Sequence, residues 1–385
     1  MKKCYRIEKI PHYIFSKFDN IKKDLKQKGI EIIDLGIGDP DIPTPKFIVD
    51  SMVEFLKIKD NFRYPPYRGI EEFKVAVSNY YKKKYNVELD YNTEVVALIG
   101  SKEGIAHLFL ALTDPKDYVL LPDPSYPVYQ AAALIAGCEI YRMPLYEENN
   151  FIPDINEIDK QVARKAKLLV VNYPNNPTGA LANEEFYNEL IEFGLNNDIA
   201  IVNDGAYLDI YKNKKPISIL QIPRAKEIAI EFGSLSKSFN MTGWRLGYAV
   251  GCSEILNKLM VIKTNFDSGQ FNAIQQVGAL ALNTGDNFTK YINDIYKERR
   301  IIVVEKLRKK GIHVYDSEGT FYVWFKVPKE YSSVEYSEKI LKEAGVLITP
   351  GSAFGIYGEG YCRISLTIDL SKLKEAMDRI VTIKP

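Results

Sequence analysis

Short apolar runs recur through the middle of the chain, separated by longer segments with helical periodicity. Five of these runs are four or five residues long, and they cover residues 95–99, 118–121, 168–171, 199–202 and 228–232. Their length and composition are typical of strands buried on both faces of a parallel sheet. Between the first two runs, Ile105, Leu108, Phe109 and Leu112 follow the helical spacing i, i+3, i+4, i+7. The middle of the chain is therefore predicted to be an α/β sheet with helices on both faces.

The two ends of the chain have a different pattern. A helix is expected over residues 14–29, followed by a proline-rich turn region at 39–45. After about residue 290 comes a long charged helix over 291–310, and then short alternating runs at 320–324 and 361–366. We therefore expect a large, mostly parallel α/β/α domain over 46–288 and a smaller α+β domain over 289–385. Residues 1–45 are expected to form an N-terminal arm and part of the small domain.

Composition favours small-molecule chemistry over nucleic-acid or membrane binding. The 385 residues carry 51 basic and 50 acidic side chains, a formal net charge of +1, which offers no strong field to a polyanion. The start of the chain shows no apolar signal-peptide core, and no apolar run is long enough to cross a bilayer. Neither the scattered cysteines nor the three histidines have zinc-ligand spacing. A cytoplasmic protein with reduced thiols and no metal site is expected.

Each of the five apolar runs is followed by polar or aromatic residues. These segments cover residues 100–104, 122–126, 172–179, 203–207 and 233–237. Ligands of open α/β sheets bind at the carboxyl ends of the strands, so the five segments should converge at one edge. That convergence predicts an active site before any family is considered.

The converging groups suit a phosphate. Ser101 begins a helix, where free N–H groups and the helix dipole favour an anion. Ser234 and Ser236 add hydroxyl donors, and Arg245 adds a planar cation suited to bidentate contacts. There is no Walker sequence, and no Gly-x-Gly-x-x-Gly opens a helix. A phosphate site without nucleotide motifs, beside a lysine flanked by serines, indicates pyridoxal 5′-phosphate (PLP).

Four motifs resemble those of the class I aminotransferases, which are PLP enzymes of fold type I. Residues 234–247 (SLSKSFNMTGWRLG) are similar to the segment that contains the PLP lysine, and residues 175–179 (NNPTG) to the Asn-Pro-x-Gly element. Asp204 and Tyr207 match the Asp-x-x-Tyr motif, and residues 362–365 (CRIS) match the C-terminal arginine region. The motifs occur in the family's order and span nearly the whole chain. The resemblance implies a PLP-dependent enzyme with the fold-type-I architecture.

The resemblance also implies roles for individual residues. Lys237 would carry the cofactor and move a proton at the substrate, Asp204 would pair with the pyridine nitrogen, and Tyr126 would stack on the ring. A solvated lysine, a helix-capping aspartate and a core tyrosine are the corresponding structural alternatives. Asn176 and Tyr207 would bind the phenolic oxygen of PLP. The phosphate would be held by Ser101, Lys102, Ser234, Ser236 and Arg245.

Substrate contacts follow from the same resemblance. Arg363 would bind the α-carboxylate with its planar fork, and Gly38 would allow close approach of the backbone, or simply form a tight turn. Tyr64 resembles a tyrosine that reaches the phosphate of the neighbouring subunit, which implies a homodimer with shared active sites. The amino-acid and 2-oxo-acid substrates would be its small-molecule partners.

A narrower likeness concerns the substrate. Residues 11–15, 98–107, 265–269 and 357–363 resemble LL-diaminopimelate aminotransferases, which exchange LL-diaminopimelate and 2-oxoglutarate for tetrahydrodipicolinate and glutamate in lysine biosynthesis. Tyr13, Lys102 and Asn176 occupy substrate-contact positions of that family. The loop over residues 64–69 departs from plant-type members, because it contains no carboxylate for the distal ammonium.

Three alternatives are left open by the sequence. An aminotransferase for aspartate, alanine or aromatic amino acids would share every cofactor motif, and so would a PLP-dependent carbon–sulfur lyase. A PLP-binding regulator without catalysis is the third, although the chain shows neither a basic excess nor room for a DNA-binding domain before residue 35.

Overall fold

The computed structural model describes residues 5–10 and 18–383 of the chain. Within that part, the helix expected over 14–29 is present as Asp19–Gln27, and Tyr13 lies outside the described residues. The β-strands are β1 (Ile33–Asp34), β2 (Val95–Leu98), β3 (Tyr118–Asp123), β4 (Glu139–Pro144), β5 (Ala166–Val171), β6 (Ala200–Asp204), β7 (Ala229–Ser234), β8 (Gly247–Gly251), β9 (Tyr322–Lys326), β10 (Val346–Leu347), β11 (Thr349–Pro350) and β12 (Tyr361–Ser365).

The α-helices of the described residues fill the connections between these strands. They are α1 (Tyr5–Lys9), α2 (Asp19–Gln27), α3 (Lys46–Phe55), α4 (Glu71–Tyr85), α5 (Ser101–Leu112), α6 (Val128–Ala136), α7 (Lys160–Ala163), α8 (Glu184–Asn197), α9 (Ala225–Ile228), α10 (Leu235–Ser238), α11 (Ser253–Phe266), α12 (Asn272–Thr284), α13 (Asp286–Lys309), α14 (Ser333–Ala344) and α15 (Leu370–Thr382). The long charged helix expected over 291–310 is the C-terminal part of α13.

A seven-stranded sheet forms the centre of the molecule, in the order β2-β8-β7-β6-β5-β3-β4. All five apolar runs are strands of this sheet, so the α/β prediction is confirmed. Only β8 pairs antiparallel with its neighbours, which matches a mostly parallel sheet. Side chains along each strand alternate between two buried clusters: Leu169 and Val171 lie in one, and Leu168 and Val170 in the other. Helices therefore cover both faces of the sheet.

Two strands and one buried charge of the large sheet were not expected from the sequence. The edge strand β4 reads EIYRMP and β8 reads GYAVG, so neither has the apolar run that identified the others. The apolar run at 228–232 contains one charged residue, Glu231, which is buried on β7. The Glu231 carboxylate is stabilised by donors from Tyr81, Ser218 and Asn203.

A second group of strands joins the two ends of the chain. The three-stranded sheet has the order β11-β12-β9, and β1 near the N-terminus pairs in parallel with β10. Their apolar side chains form a separate buried cluster with α13, α14 and α15. This α+β arrangement agrees with the character expected for the small domain, while the boundaries at residues 45/46 and 288/289 stay predictions.

Two further observations concern expectations from composition. Cys138, Cys252 and Cys362 are free and buried, which agrees with reduced thiols at these positions. Across the described helices, none combines the length and apolar character that a membrane span requires.

Candidate active site

The carboxyl ends of β5 and β6 are tied together by one asparagine that the sequence pattern did not single out. Asn172 follows β5 and donates from Nδ2 to the carbonyl oxygen of Asp204 at 2.6 Å. Its Oδ1 accepts the backbone N–H of Asn176 at 2.8 Å. Because both bonds are buried, they hold the loop over residues 172–179 against the end of β6. Asn172 therefore sets the spacing between Asn176 and Asp204.

Asp204 ends β6 and is buried, with a tyrosine as its side-chain partner. The hydroxyl of Tyr129, on α6, donates to Asp204 Oδ2 at 2.6 Å, and the backbone N–H of Ala206 donates to Oδ1 at 3.3 Å. Burial raises the pKa of Asp204, while these hydrogen bonds and the cation of Lys237 oppose the rise. Tyr129 is a site residue that sequence reasoning missed, because nothing but its position three residues after Tyr126 distinguishes it from a core tyrosine.

Lys237 lies on α10, directly after β7. Its ammonium donates to the carbonyl oxygen of Gly38 at 3.0 Å and lies 5.5 Å from the centroid of the Phe321 ring. Burial lowers the pKa of Lys237 to about 8; the carboxylates of Asp39 and Asp204 oppose that change, and Arg245 and Arg363 add to it. A pKa this close to neutrality makes the unprotonated, nucleophilic amine accessible.

Groups suited to an anion gather where α5 begins, a place that we call the phosphate cradle. The guanidinium of Arg245 occupies the space beside Gly100 that a Cβ would need, and Gly247 packs on the backbone N–H of Ser101. The N-terminus of the 12-residue helix α5 and the Arg245 cation thus face the same place. Ser234 lies at the neighbouring end of β7, where its hydroxyl accepts the N–H of Ser236 at 3.3 Å. This set of donors fits the phosphate of PLP.

Arg363 is buried at the junction of the two sheets. Its guanidinium donates to Asn176 Oδ1 and to the carbonyl oxygen of Gly36, both at 2.7 Å. The Nε–H of Arg363 is buried and has no hydrogen-bond partner, so it remains available as a donor to an anion. Asn176 and Arg363 are therefore adjacent, as the predicted roles require.

Gly38 is required for a reason that the sequence did not show. A Cβ on Gly38 would collide with the hydroxyl of Tyr322, and the backbone there is not in the left-handed region that a tight glycine turn needs. Tyr322 in turn lies 3.0 Å, oxygen to oxygen, from the hydroxyl of Tyr207. The sequence pattern does not single out Tyr322, yet it contacts three of the predicted site positions, Gly38, Tyr207 and Arg363.

The remaining predicted residues are more exposed. Tyr126 is half-buried, with its ring perpendicular to that of Tyr129 at 5.8 Å. Lys102 and Arg245 are exposed, and 88% of the surface of Tyr64 is accessible to solvent. The structure thus brings together Lys237, Asp204, Asn176, Tyr207 and Arg363, while the roles assigned to individual residues stay predictions.

One group of potential metal ligands occurs among the described residues, beside the phosphate cradle. Oxygen and nitrogen atoms of Glu103, His107 and Asp267 lie within 4.8 Å of one another. The buried ammonium of Lys263 donates to both carboxylates at 2.8 Å. Because a protein cation already neutralises them, we assign the group to an ion-pair network.

Comparisons with known proteins agree with this geometry. The model of the family "Aminotransferase class I and II" matches residues 30–380. The chain is 50% identical to an LL-diaminopimelate aminotransferase of Aquifex aeolicus over 380 residues, which is 98% of each chain. It is 47% identical to one of Halothermothrix orenii, with 99% of this chain and 98% of that protein covered. The solved structure of substrate-bound BacF from Bacillus subtilis superposes with a TM-score of 0.94, at 36% identity, covering 99% of this chain and 98% of that one.

These matches extend over nearly the whole chain. The donors at the start of α5, the buried carboxyl of Asp204 and the amine of Lys237 after β7 form a set of groups that fits PLP. The protein therefore belongs to the class I and II aminotransferase family, and it is a PLP-dependent enzyme of fold type I that transfers amino groups.

Proposed function

We propose that this enzyme transfers an amino group from LL-diaminopimelate to 2-oxoglutarate, giving tetrahydrodipicolinate and glutamate in lysine biosynthesis. The observation that carries the proposal is the identity of 50% to an LL-diaminopimelate aminotransferase over 98% of both chains. A cytoplasmic location follows from that biosynthetic role, and the division into domains at residues 45/46 and 288/289 belongs to the same proposal.

Lys237 is proposed to bind the cofactor and to carry the proton at the substrate. PLP, when bound, accepts into its ring the electron pair released at the substrate α-carbon. The Nζ atom of Lys237 is displaced when the substrate amine takes its place, and it is then free to remove or return the α-proton. Its pKa of about 8 keeps a useful fraction of the amine unprotonated near neutral pH.

The side chains around Lys237 are proposed to orient and polarise the cofactor. The Asp204 carboxylate would stabilise a proton on the pyridine nitrogen, and Tyr126 would cover one face of the ring. Asn176 and Tyr207 would donate hydrogen bonds to the phenolic oxygen. Two facts support these roles: Asp204 is buried with a single side-chain donor, and Asn176 and Tyr207 are buried beside Arg363.

The phosphate is proposed to bind at the start of α5. The contributing groups would be the N–H groups and hydroxyl of Ser101, the hydroxyls of Ser234 and Ser236, and the cations of Lys102 and Arg245. The contact of the Arg245 guanidinium with Gly100 supports this assignment.

Substrate recognition is proposed to begin at Arg363. Its unpartnered Nε–H and the adjacent nitrogen offer two parallel donors to the α-carboxylate, in the geometry that arginine forms with carboxylates. Gly38 and Asn176 would complete this end of the site. Lys102 and Tyr13 would contact the distal end of diaminopimelate.

A homodimer with shared active sites is also part of the proposal. Apolar side chains at Val49, Val53 and Leu56 follow the spacing of one face of α3 and are exposed, as are Phe62 and Tyr64 just beyond it. An exposed apolar patch of this kind marks a protein interface. Tyr64 would reach the phosphate of the neighbouring subunit from this surface.

A donor screen tests the substrate assignment. The purified enzyme is given LL-diaminopimelate, meso-diaminopimelate, lysine, aspartate, alanine or phenylalanine, each with 2-oxoglutarate, and kcat/KM is measured. We expect LL-diaminopimelate to be the best donor. Lysine should be much poorer, because it lacks the distal carboxylate and leaves polar groups of the site unpaired. Lys237→Ala, measured in parallel, shows the rate without the proposed catalytic amine.

Each alternative has a distinct outcome in the same screen. A higher kcat/KM for aspartate, alanine or phenylalanine would replace the diaminopimelate assignment with a broader aminotransferase. Release of ammonia and pyruvate without a keto-acid acceptor, from a sulfur-containing amino acid, would instead identify a carbon–sulfur lyase.

A further inference from the structure

Tyr322 lies on the face of the small sheet that is turned toward the active site. Strands β9 and β12 are antiparallel, and their register places Trp324 opposite Arg363 and Tyr322 opposite Ser365. Tyr322 and Arg363 are therefore diagonal neighbours on one face, a separation that an aromatic ring and a long side chain can bridge. The guanidinium carbon of Arg363 lies 3.9 Å from the centroid of the Tyr322 ring.

The Tyr322 ring is one of the few groups that restrain the Arg363 guanidinium. Two nitrogens are held by Asn176 Oδ1 and the Gly36 carbonyl oxygen, and a second ring, that of Phe354, lies 4.7 Å away. The face of the cation is thus covered by aromatic rings, which attract it and exclude water. The edge that carries the Nε–H is left for a carboxylate.

The Tyr322 hydroxyl makes a second connection, to the large sheet. It lies 3.0 Å from the hydroxyl of Tyr207, in the loop after β6, and it fills the position that a side chain at residue 38 would need. A phenol has one proton to donate. If Tyr322 donates to Tyr207, the Tyr207 proton is free to point toward another acceptor, and hydrogen bonds in such a chain strengthen one another.

Tyr207 is a buried phenol with a raised pKa. Burial raises the pKa of Tyr207 well above its ordinary value, and of the charged or titratable groups that face it Tyr322 and Tyr126 add to the rise, whereas Arg363 opposes it. Tyr207 therefore stays protonated and can act as a donor over the working pH range.

We infer that Tyr322 is a positioning residue with two separable parts. Its ring holds the Arg363 guanidinium in place for the substrate α-carboxylate, and its hydroxyl donates to Tyr207 and so directs the Tyr207 proton to the phenolic oxygen of the cofactor. The inference rests on the proposed function, because Arg363 and Tyr207 have their roles only there. It also explains why residue 38 is a glycine.

The two parts are tested with Tyr322→Phe and Tyr322→Leu. The first readout is the pKa of the Lys237–cofactor linkage, followed by absorbance. A hydrogen bond donated to the phenolic oxygen stabilises its charge and lowers this pKa. Tyr322→Phe should therefore raise the pKa of the linkage in the same direction as Tyr207→Phe, but by less. The matched control is Tyr296→Phe, which removes a buried hydroxyl without a hydrogen-bond partner in the same core cluster.

The second readout is the Kd of glutarate, an unreactive dicarboxylate. Tyr322→Phe keeps the ring, so the Kd of glutarate should change by less than about 2-fold. Tyr322→Leu removes the ring, so the Kd should rise by about 5-fold or more. An unchanged Kd in Tyr322→Leu overturns the role of the ring.

The role of the hydroxyl has its own decisive outcomes. If Tyr322→Phe matches Tyr296→Phe while Tyr207→Phe shifts the pKa of the linkage, the role of the Tyr322 hydroxyl is wrong and the proposed function is untouched. If Tyr207→Phe produces no shift, the assignment of Tyr207 fails, and the role of the Tyr322 hydroxyl fails with it. Tyr322→Phe preserves the ring volume, so this arm remains decisive even if Tyr322→Leu does not fold.

Discussion

The chemistry of the site depends first on how single side chains are charged. Lys237 has a pKa lowered to about 8, chiefly by burial, and the surrounding charges act in both directions: Asp39 and Asp204 raise it, while Arg245 and Arg363 lower it. A lysine in water, with a pKa near 10.4, would be almost wholly protonated at neutral pH. The fold therefore keeps a larger fraction of this amine unprotonated at neutral pH than a lysine in water would have.

The attachment of PLP to the apoenzyme should reflect this pKa. Only the unprotonated amine reacts, so the rate of attachment should rise with pH and level off above about 8. The measurement is borohydride trapping at a series of pH values, followed by quantification of the PLP-bearing peptide. The label should be on Lys237, and Lys237→Arg should abolish it. A plateau reached only near pH 10, or a label on another lysine, contradicts the assignment.

Asp204 should depend on its phenol donor. The Tyr129 hydroxyl stabilises the ionised carboxylate, so Tyr129→Phe should raise the pKa of Asp204 and move the acidic limb of kcat/KM to higher pH. A hydrogen bond to a charged group contributes ~1.5–3 kcal/mol, so we expect roughly 10-fold lower kcat/KM at the optimum. Tyr187→Phe is the control, since its buried hydroxyl has no hydrogen-bond partner.

Asp204→Asn shows the largest loss of activity to be expected when the Asp204 charge is perturbed. The variant removes the charge, so it should bind PLP but lose most of the transamination activity. A Tyr129→Phe enzyme whose pH profile coincides with that of Tyr187→Phe would show that the phenol is only a packing group.

The sequence identified those site residues whose position in the chain is itself informative. Asp204 ends one buried strand, and Asn176 and Lys237 lie just after two others, so the strand pattern alone placed them at one edge of the sheet. Tyr129, Asn172 and Tyr322 have no such signal. Their contacts join elements that are distant in sequence, such as β9 and the loop after β6, and these contacts exist only after the sheets have packed.

At the scale of elements, the phosphate cradle is supported by a buried ion-pair network between α5 and α11. The ammonium of Lys263 on α11 is fully buried and lies 2.8 Å from oxygens of both Glu103 and Asp267. Glu103 also accepts the N–H of Ile99 at 2.9 Å, just before α5, and Asp267 accepts the N–H of Gly269 at 2.8 Å. One lysine therefore braces the start of α5 and the turn that follows α11.

Lys263→Met should destabilise the enzyme and weaken PLP binding together. The substitution keeps the length of the side chain but leaves two partly buried carboxylates without their cation, a change that costs about 3 kcal/mol of unfolding free energy. Lys258→Met is the matched control, because Lys258 is an exposed residue of the same helix that pairs with Glu254, and its loss should cost less than about 0.5 kcal/mol.

The comparison is made by denaturant unfolding and by PLP titration of the two variants. Equal stability of the two variants would show that the ion-pair network does not stabilise these elements. A loss of stability in Lys263→Met without any change in PLP affinity would show that the network does not affect the phosphate cradle.

The elements of the large domain were predictable because both faces of the sheet are buried, which produces continuous apolar runs. The two strands of this domain that were not predicted are those without a continuous apolar run. In β4 the exposed edge admits Glu139 and Arg142, and β8 is bounded by Gly247 and Gly251, where close backbone packing on β7 and α5 leaves no room for side chains. The burial of Glu231 could not be predicted from the sequence of β7 either, because the donors that stabilise its carboxylate come from three other segments.

At the scale of the whole molecule, the N-terminal segment connects the small sheet to the site. The carbonyl oxygen of Gly36 accepts hydrogen bonds from Arg363 and from Thr349, and Asp41 forms a two-point ion pair with Arg299 at 2.7 and 2.8 Å. The sequence predicted that both ends of the chain would share one domain. It did not show that this arrangement puts Gly38 within reach of Lys237.

The exposed apolar face of α3 supports an interface between two copies of the chain. Val49, Val53 and Leu56 are exposed, although less so than Phe62 and Tyr64, and nothing in the catalytic chemistry of a single chain requires them to be apolar. A homodimer would bury this face and bring Tyr64 to the neighbouring phosphate cradle. In a two-fold dimer each site would then need Lys237 from one subunit and Tyr64 from the other.

Subunit mixing tests whether the sites are shared. Lys237→Ala inactivates the site of its own chain, whereas Tyr64→Ala impairs the site of its partner, so each homodimer alone should be weakly active when no free PLP is added. A mixed dimer contains one site with both residues intact. Equimolar unfolding and refolding gives half mixed dimers by random pairing, and we therefore expect activity to rise to about one quarter of the wild-type value. Lys237→Ala mixed with the control Tyr67→Ala sets the upper limit, because every Tyr67→Ala chain supplies an intact Lys237 and the mixture should retain about half of the wild-type activity. Light scattering shows whether the protein is a dimer. If it is a dimer and the activity of the mixture stays at the mean of the two parent variants, Tyr64 contributes to the site of its own subunit. If it is a monomer, the α3 face binds another partner.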